Sequence, residues 1–170
     1  MTAFNGRARR LGDDVNTDYI ISSKRKKETL DEQTLKDYLL ESVDPNFAGS
    51  VRNGDIIVAG ANFGCGSAME VAATVILAAG IPVVLARSFS RSFYRNAINN
   101  GLVPIECDTA DIVEGDPIAI VMDSSGITVT NERTGAREQR PSLSGIAGKI
   151  LAAGGLVPYL RREGRFSYGP

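Results

Sequence analysis

The stretch from Asp55 to Glu70, Asp-Ile-Ile-Val-Ala-Gly-Ala-Asn-Phe-Gly-Cys-Gly-Ser-Ala-Met-Glu, constrains this chain more than any other. Asp55 to Ala59 is a β-branched apolar run of the buried-strand type. Gly64 and Gly66 break it, and Ser67 opens an apolar segment, Val71 to Ala79, that Gly80 closes. The order is strand, tight glycine turn, helix. Such a turn sets backbone N–H groups at the carboxyl edge of a sheet, where anions and developing negative charge are stabilised. Read locally, Ser67-x-x-Glu70 is a capping box, hydroxyl and carboxylate each satisfying an orphan N–H. A serine at this point can also be catalytic. The stretch is not a phosphate loop: it lacks the Gly-Lys-Ser/Thr ending, and the third glycine of the dinucleotide fingerprint is missing.

Composition narrows the choices mainly by what is absent. With no histidine, this chain can hold no His-based triad, no imidazole base and no usual zinc site. Two cysteines, Cys65 and Cys107, are too few to carry an iron–sulfur cluster alone. They read as free thiols in a reducing cytoplasm. Nineteen basic against 20 acidic residues argue for no nucleic acid and no membrane surface as partner. No apolar run is long enough to span a bilayer, and no leader is expected. The 170 residues, 43% apolar, are read as a single domain over 1–170.

Taken in order, residues 3–10 read as an edge strand. Gly12 to Asp18 is a loop of Asx-turn formers, in which Asp13 and Asp14 shape the turn. Ser22 to Lys27 follows, with four successive cations at Lys24, Arg25, Lys26 and Lys27. This run is expected as a solvated, mobile loop, or as one that recognises carboxylates. Leu30 to Leu40 has helical spacing after a cap at Thr29 or Asp31. Beyond the central turn, Pro82 to Ala86 and Leu102 to Glu106 are strands around a helix capped at Ser88 or Ser90 and closed by Gly101. In that helix Arg91 is expected to brace the turn. This β-α-β-α-β alternation predicts an α/β fold with a parallel or mixed sheet. Ile118 to Met122 and Ile127 to Asn131 form a hairpin, Thr134-Gly135 starts another, and Ser144 to Ala153 is a last short helix. The tail is basic at Arg161, Arg162 and Arg165. Cys65 reads as a small buried residue.

Three blocks, Gly12 to Ile21, Gly54 to Ser67 and Ala86 to Pro104, resemble the aconitase superfamily. They are most similar to its free-standing small subunits of the isopropylmalate dehydratase and homoaconitase type. The resemblance implies a swivelling β/β/α domain. It implies a separate large subunit carrying a 4Fe-4S cluster, with no cofactor and no metal held by this chain, and a heteromer as the working form. The implied reaction shifts a hydroxyl between neighbouring carbons of a hydroxy acid by dehydration and rehydration, the cluster acting as Lewis acid. Ser67 matches the family's catalytic serine, which moves the proton on the adjacent carbon, and Asp18 its Thr-Asp aspartate. Arg25 is the best match to a substrate-binding arginine, with Lys24 and Lys26 competing for that role. Gly66, Ala68 and Met69 complete the substrate-binding set.

One departure stands out. The family pattern continues Ser-Arg-Glu after the serine, whereas this chain reads Ala68-Met69-Glu70. An alkoxide needs nearby positive charge or N–H donors. Either the Lys24–Lys27 run supplies that charge, with Met69 meeting an apolar substituent, or the chain acts on a different malate. The expected activity is isomerisation of 3-isopropylmalate and 2-isopropylmalate. The alternatives are homoaconitate, a dialkylmalate, or a non-catalytic assembly subunit.

Overall fold

The computed structural model describes residues 1–143 and 145–164. Its centre is the first strand, β1 (Thr2–Arg10), which pairs in parallel with β2 (Ile56–Ala59) and antiparallel with β5 (Pro117–Asp123). β3 (Val83–Ala86) and β4 (Val103–Glu106) extend the parallel side. β6 (Gly126–Asn131) and β7 (Arg137–Arg140) extend the antiparallel side. The order across the sheet is β4-β3-β2-β1-β5-β6-β7.

Residues 3–10 are therefore not the edge strand expected from their charges. Arg7 and Arg9 are neutralised inside the fold: Arg7 donates to Asp55, and Arg9 to Asp55 and Glu114. A strand that looks solvated in the sequence thus sits in the middle of the sheet. Those acidic partners are 46 to 105 residues away, so no local pattern shows them.

The helices follow from alternation along the parallel strands. Ile57, Ala59, Val84 and Ala86 face one core, packed against Ala72, Ala73, Val75 and Ile76 of α5 (Val71–Ala78) and Phe93 and Ala97 of α6 (Arg91–Asn100). Three short helices add to this core, α1 (Thr17–Ile20) through Ile20, α3 (Glu32–Leu35) through Leu35 and α4 (Phe47–Ser50) through Phe47, while α2 (Ser23–Glu28) buries no residue. The helix expected over Leu30 to Leu40 is only α3, capped by Asp31, followed by a 3-10 turn at Lys36–Tyr38.

Ile56, Val58, Val83 and Leu85 point the other way. They share a second core with Val103, Ile105, Ile118, Ile120, Ile127 and Val129. The sheet curls around it until its two edges approach, where the backbone N–H of Asp108 donates to Glu138 at 2.9 Å. α7 (Gly145–Ala152) and α8 (Leu156–Glu163) pack near α6 around Ile98, Ile150 and the buried ring of Tyr159. The basic tail thus contains a helix, with Arg161 and Arg162 exposed on it; Ser144 and Arg165 lie outside the described residues.

Asp55, at the start of β2, is the electrostatic anchor of the central pair. Its side chain is 3% exposed and accepts from Arg7 at 2.7 Å, Arg9 at 3.3 Å and the backbone N–H of Arg52 at 3.0 Å. Burial pushes its carboxyl up, and these donors outweigh burial, holding it below the ordinary range. Asp55→Ala removes the buried one of the two carboxylates on Arg9, leaving it Glu114 and Ser50, and is expected to cost about 1.5–3 kcal/mol in urea unfolding. Because the folded carboxyl binds protons less readily, its contribution is full above about pH 4 and fades as pH falls further. A loss below about 1 kcal/mol would show that water satisfies the arginines.

Candidate active site

Three loops leave the carboxyl ends of β1, β2 and β3 together, and the loop after β2 lies between the other two. On one side the N–H of Gly64 donates to the Val15 carbonyl at 2.8 Å, and the N–H of Thr17 to the Cys65 carbonyl at 2.8 Å. On the other, the N–H of Phe63 donates to Ser88 at 3.0 Å and that of Ser90 to Phe63 at 2.9 Å. The turn is thus a short extension of the parallel sheet, held from both sides.

Beneath it Phe63 packs edge-on against Phe93, ring centres 5.0 Å apart, and Phe89 stacks on Phe93 at 6.2 Å. Gly64, at φ 76°, has the Phe93 ring 2.2 Å from where a Cβ would stand. Gly66, at φ 91°, has the Asn16 amide at 2.5 Å from the same position. Both glycines are required by the conformation and by the close approach.

The Ser90 hydroxyl donates to the Gly64 carbonyl at 2.6 Å and accepts from the Phe93 N–H at 3.3 Å, capping α6 while bracing the turn. Arg91, expected in that bracing role, is exposed, and its side chain makes no hydrogen bond among the described residues. α6 ends at Gly101 in the left-handed conformation, as expected.

Ser67 is not a helix cap. α5 begins only at Val71, and Glu70 is already helical at φ −59° and ψ −41°, with no side-chain capping bond. The capping-box motif fails because the chain from Ser67 to Glu70 follows the clamped turn rather than the helix. The Ser67 carbonyl accepts from the Thr17 hydroxyl at 2.9 Å. Its own hydroxyl is on an exposed residue and bonds to nothing among the described residues.

Asp18 stands in the first turn of α1, exposed, with its N–H on the Asn16 side chain at 2.9 Å and its carboxylate accepting from Ser23 at 2.7 Å. The structure therefore brings Asp18 and Ser67 onto one surface through Asn16 and Thr17. Sequence reasoning passed over both linking residues. The signal was present in the Asn16-Thr17-Asp18 run itself, where a capping asparagine precedes a buried threonine.

The four cations belong to a helix, not to a loop. Ser22 caps α2, accepting from the Arg25 N–H at 3.4 Å, and Arg25, Lys26 and Lys27 lie in its last turn, where the helix dipole favours positive charge. Arg25 is committed elsewhere: it grips Glu41 at 2.9 and 3.1 Å, reaches Glu28 at 3.2 Å, and lies 3.8 Å over the Tyr38 ring. Its hydrogen bonds to Glu41 and Glu28 hold the guanidinium above its ordinary proton affinity, and Arg25 in turn lowers the Glu41 carboxyl.

The ammonium of Lys26 instead meets the Met69 sulfur and ties α2 to the segment after Ser67. Lys24 and Lys27 are exposed and make no salt bridge among the described residues. Gly66 and Ala68 are exposed beside Ser67, and Met69 is half-buried against the first core.

Asp13 and Asp14 shape their turn, as expected. Asp13 accepts from the Ala61 N–H at 2.7 Å and from Arg87 at 2.6 Å, and these two donors lower its carboxyl. Asp14, at φ 53°, accepts from Asn62 at 2.8 Å.

No group of three or more metal-ligating side chains occurs among the described residues. Cys65 is half-buried on the turn, rather than buried, and Cys107 is buried, its thiol pushed up to about 12 mainly by burial. These residues do not fit an iron–sulfur cluster, so no step on this chain passes through one. No helix among the described residues is long and apolar enough to cross a membrane.

The curled mixed sheet and its clamped Gly-Cys-Gly-Ser turn define a domain of the aconitase C-terminal type. Residues 13–110 match the aconitase C-terminal domain family, and the chain belongs to it. It is 46% identical over 158 residues to the methanogen homoaconitase small subunit of Methanocaldococcus jannaschii, covering 93% of this chain and 91% of that one. It is 45% identical over 159 residues to 3-isopropylmalate dehydratase small subunit 1 of Methanopyrus kandleri, covering 94% and 93%. A crystal structure of 3-isopropylmalate dehydratase from Methanocaldococcus jannaschii superposes with a TM-score of 0.90 at 42% identity, over 96% of each chain.

The crowding at Gly64 gives a direct test of the clamp. Gly64→Ala is expected to lower stability by about 2–4 kcal/mol, a left-handed penalty plus overpacking against Phe93. A loss under about 0.5 kcal/mol in urea unfolding would mean the turn relaxes freely.

Proposed function

We propose that this chain is the small subunit of an aconitase-type hydro-lyase that interconverts 3-isopropylmalate and 2-isopropylmalate, with Ser67 carrying the proton. The observation behind this is the Ser67 hydroxyl: exposed, released from capping, and fixed by a turn clamped on both sides. In dehydration the proton on the carbon next to the hydroxyl-bearing one passes to Ser67 Oγ as the hydroxyl leaves. In rehydration Ser67 gives a proton to the carbon that bore the hydroxyl while hydroxide adds to its neighbour, which completes the shift. The alkoxide that accepts it is stabilised by backbone N–H groups of the turn and by the nearby Lys26 charge. Asp18 orients groups at the rim.

The surface is open. Ser67, Ala68 and Asp18 are all exposed, and an alkoxide facing bulk water loses the advantage of fixed donors. This supports a large subunit that closes over the site and holds the 4Fe-4S cluster, for which the described residues offer no ligand set. The assembled enzyme then has this chain's proton-transfer face opposite the partner's cluster. We assign it to the cytoplasm, where Cys65 and Cys107 stay reduced.

The substrate choice rests on charge. Arg25 is balanced by Glu41 and Glu28, so Lys26, with Lys24 and Lys27 outside it, supplies the cation for a substrate carboxylate. Met69 offers an apolar surface where the family pattern has an arginine. A dicarboxylate bearing an alkyl group suits that pair better than a tricarboxylate does. Homoaconitate is the second reading, favoured by the 46% identity to a homoaconitase small subunit.

The test is turnover by the anaerobically co-purified complex across isopropylmalate, homoaconitate, citraconate and dimethylmalate. Isopropylmalate is expected to be preferred, and Ser67→Ala to lower kcat by about 10²–10⁴-fold while assembly persists. Lys26→Ala is expected to raise KM by about tenfold or more, the worth of one charged hydrogen bond. Turnover surviving Ser67→Ala contradicts the serine role. A tricarboxylate preference contradicts the Met69 argument. No turnover of any acid, with the cluster intact, would make this an assembly subunit.

A further inference from the structure

The two site residues lie on different loops, and Asn16 and Thr17 join them. Thr17 is 1% exposed, and both of its donors are used on the glycine turn. Its N–H holds the Cys65 carbonyl at 2.8 Å and its hydroxyl holds the Ser67 carbonyl at 2.9 Å. One residue thus grips the peptide that precedes Gly66 and the peptide that follows Ser67. The preceding residue fills the space a Cβ on Gly66 would need and also accepts from the Asp18 N–H.

We propose that Thr17 is a positioning residue: its buried hydroxyl sets the backbone of Ser67, and through it the direction of Oγ, relative to Asp18. This rests on the proton-transfer role of Ser67. The effect follows from geometry. The N–H bond to Cys65 survives any substitution, so the turn persists without the hydroxyl. What is lost is the second grip, leaving the Ser67–Ala68 peptide free to rotate. Gly66, just before Ser67, cannot compensate, since it has no side chain to restrict its backbone. A small displacement of a proton-transfer atom lowers the rate of the chemical step while leaving substrate contacts on α2 in place.

The experiment compares Thr17→Val, Thr17→Ser and Thr17→Cys in the full small subunit, co-purified anaerobically with its large subunit. Thr17→Val keeps the shape and removes the hydroxyl. It is expected to lower kcat by roughly ten- to a hundredfold, with KM within about twofold of the parent. Thr17→Ser restores the donor and is expected to recover kcat to within about threefold. Thr17→Cys, which keeps the volume with a weak donor, is expected to fall between them, and decides the matter if the valine variant does not assemble. Unchanged kcat in the valine or cysteine variant overturns the proposal. So does equal impairment of the serine and valine variants, which marks a packing role only. The Ser67→Ala complex, run alongside, separates the two claims. If it is inactive while Thr17→Val is fully active, positioning alone is wrong; if it stays active, the serine role falls and positioning falls with it.

Discussion

The structure depends on a two-sided clamp. A glycine turn at the carboxyl edge of parallel strands cannot hold its own shape, because residues with positive φ and no side chains are the least restricted in the chain. Here the restriction comes from neighbours. Thr17 holds the carbonyls of Cys65 and Ser67, and Ser90 holds the carbonyl of Gly64. Phe93 and Asn16 occupy the spaces the two missing Cβ atoms leave. The rest of the fold serves this arrangement. β1 and β3 flank β2 in parallel, so the loops that supply the clamp emerge on either side of the one they hold. Asp55, at the other end of β2, ties it to β1 through Arg7 and Arg9.

Charge is divided with similar economy. Arg25 is the cation best shaped to grip a carboxylate, and it already grips one, from Glu41, while lying over Tyr38. That leaves Lys26, on the Met69 sulfur two residues after the exposed serine, as the cation next to the turn. Lysine is a compact, flexible charge rather than a rigid fork, so it can move from the Met69 sulfur to an entering carboxylate. This division of charge is the ground for the alkyl dicarboxylate proposed above.

Much of this was legible in the sequence where the determinants are local. β2, β3 and β4 are short apolar runs, and α6 carries its cap at Ser90 and its stop at Gly101, so periodicity and punctuation suffice. Three of the differences involve partners far along the chain. β1 looks like an edge because Asp55 and Glu114 are invisible from Arg7 and Arg9. The cations of α2 look like a loop, and Arg25 looks free, because Glu41 lies 16 residues on. Ser67-x-x-Glu70 satisfies a capping motif, but a tertiary bond from Thr17 directs the chain otherwise. α8 stands where the sequence reading gives only a basic tail; its Pro158 lies in the first turn, where proline is tolerated.

On the function proposed above, the clamped serine faces the reacting carbon. The most direct measurement is a crystal structure of the anaerobic complex with its hydroxy acid bound. The account predicts Ser67 Oγ within about 3–3.5 Å of the carbon that exchanges its proton, with Lys26 moved from Met69 onto a substrate carboxylate. A substrate held with Ser67 facing solvent, and Arg25 released from Glu41 to bind the acid, would contradict it.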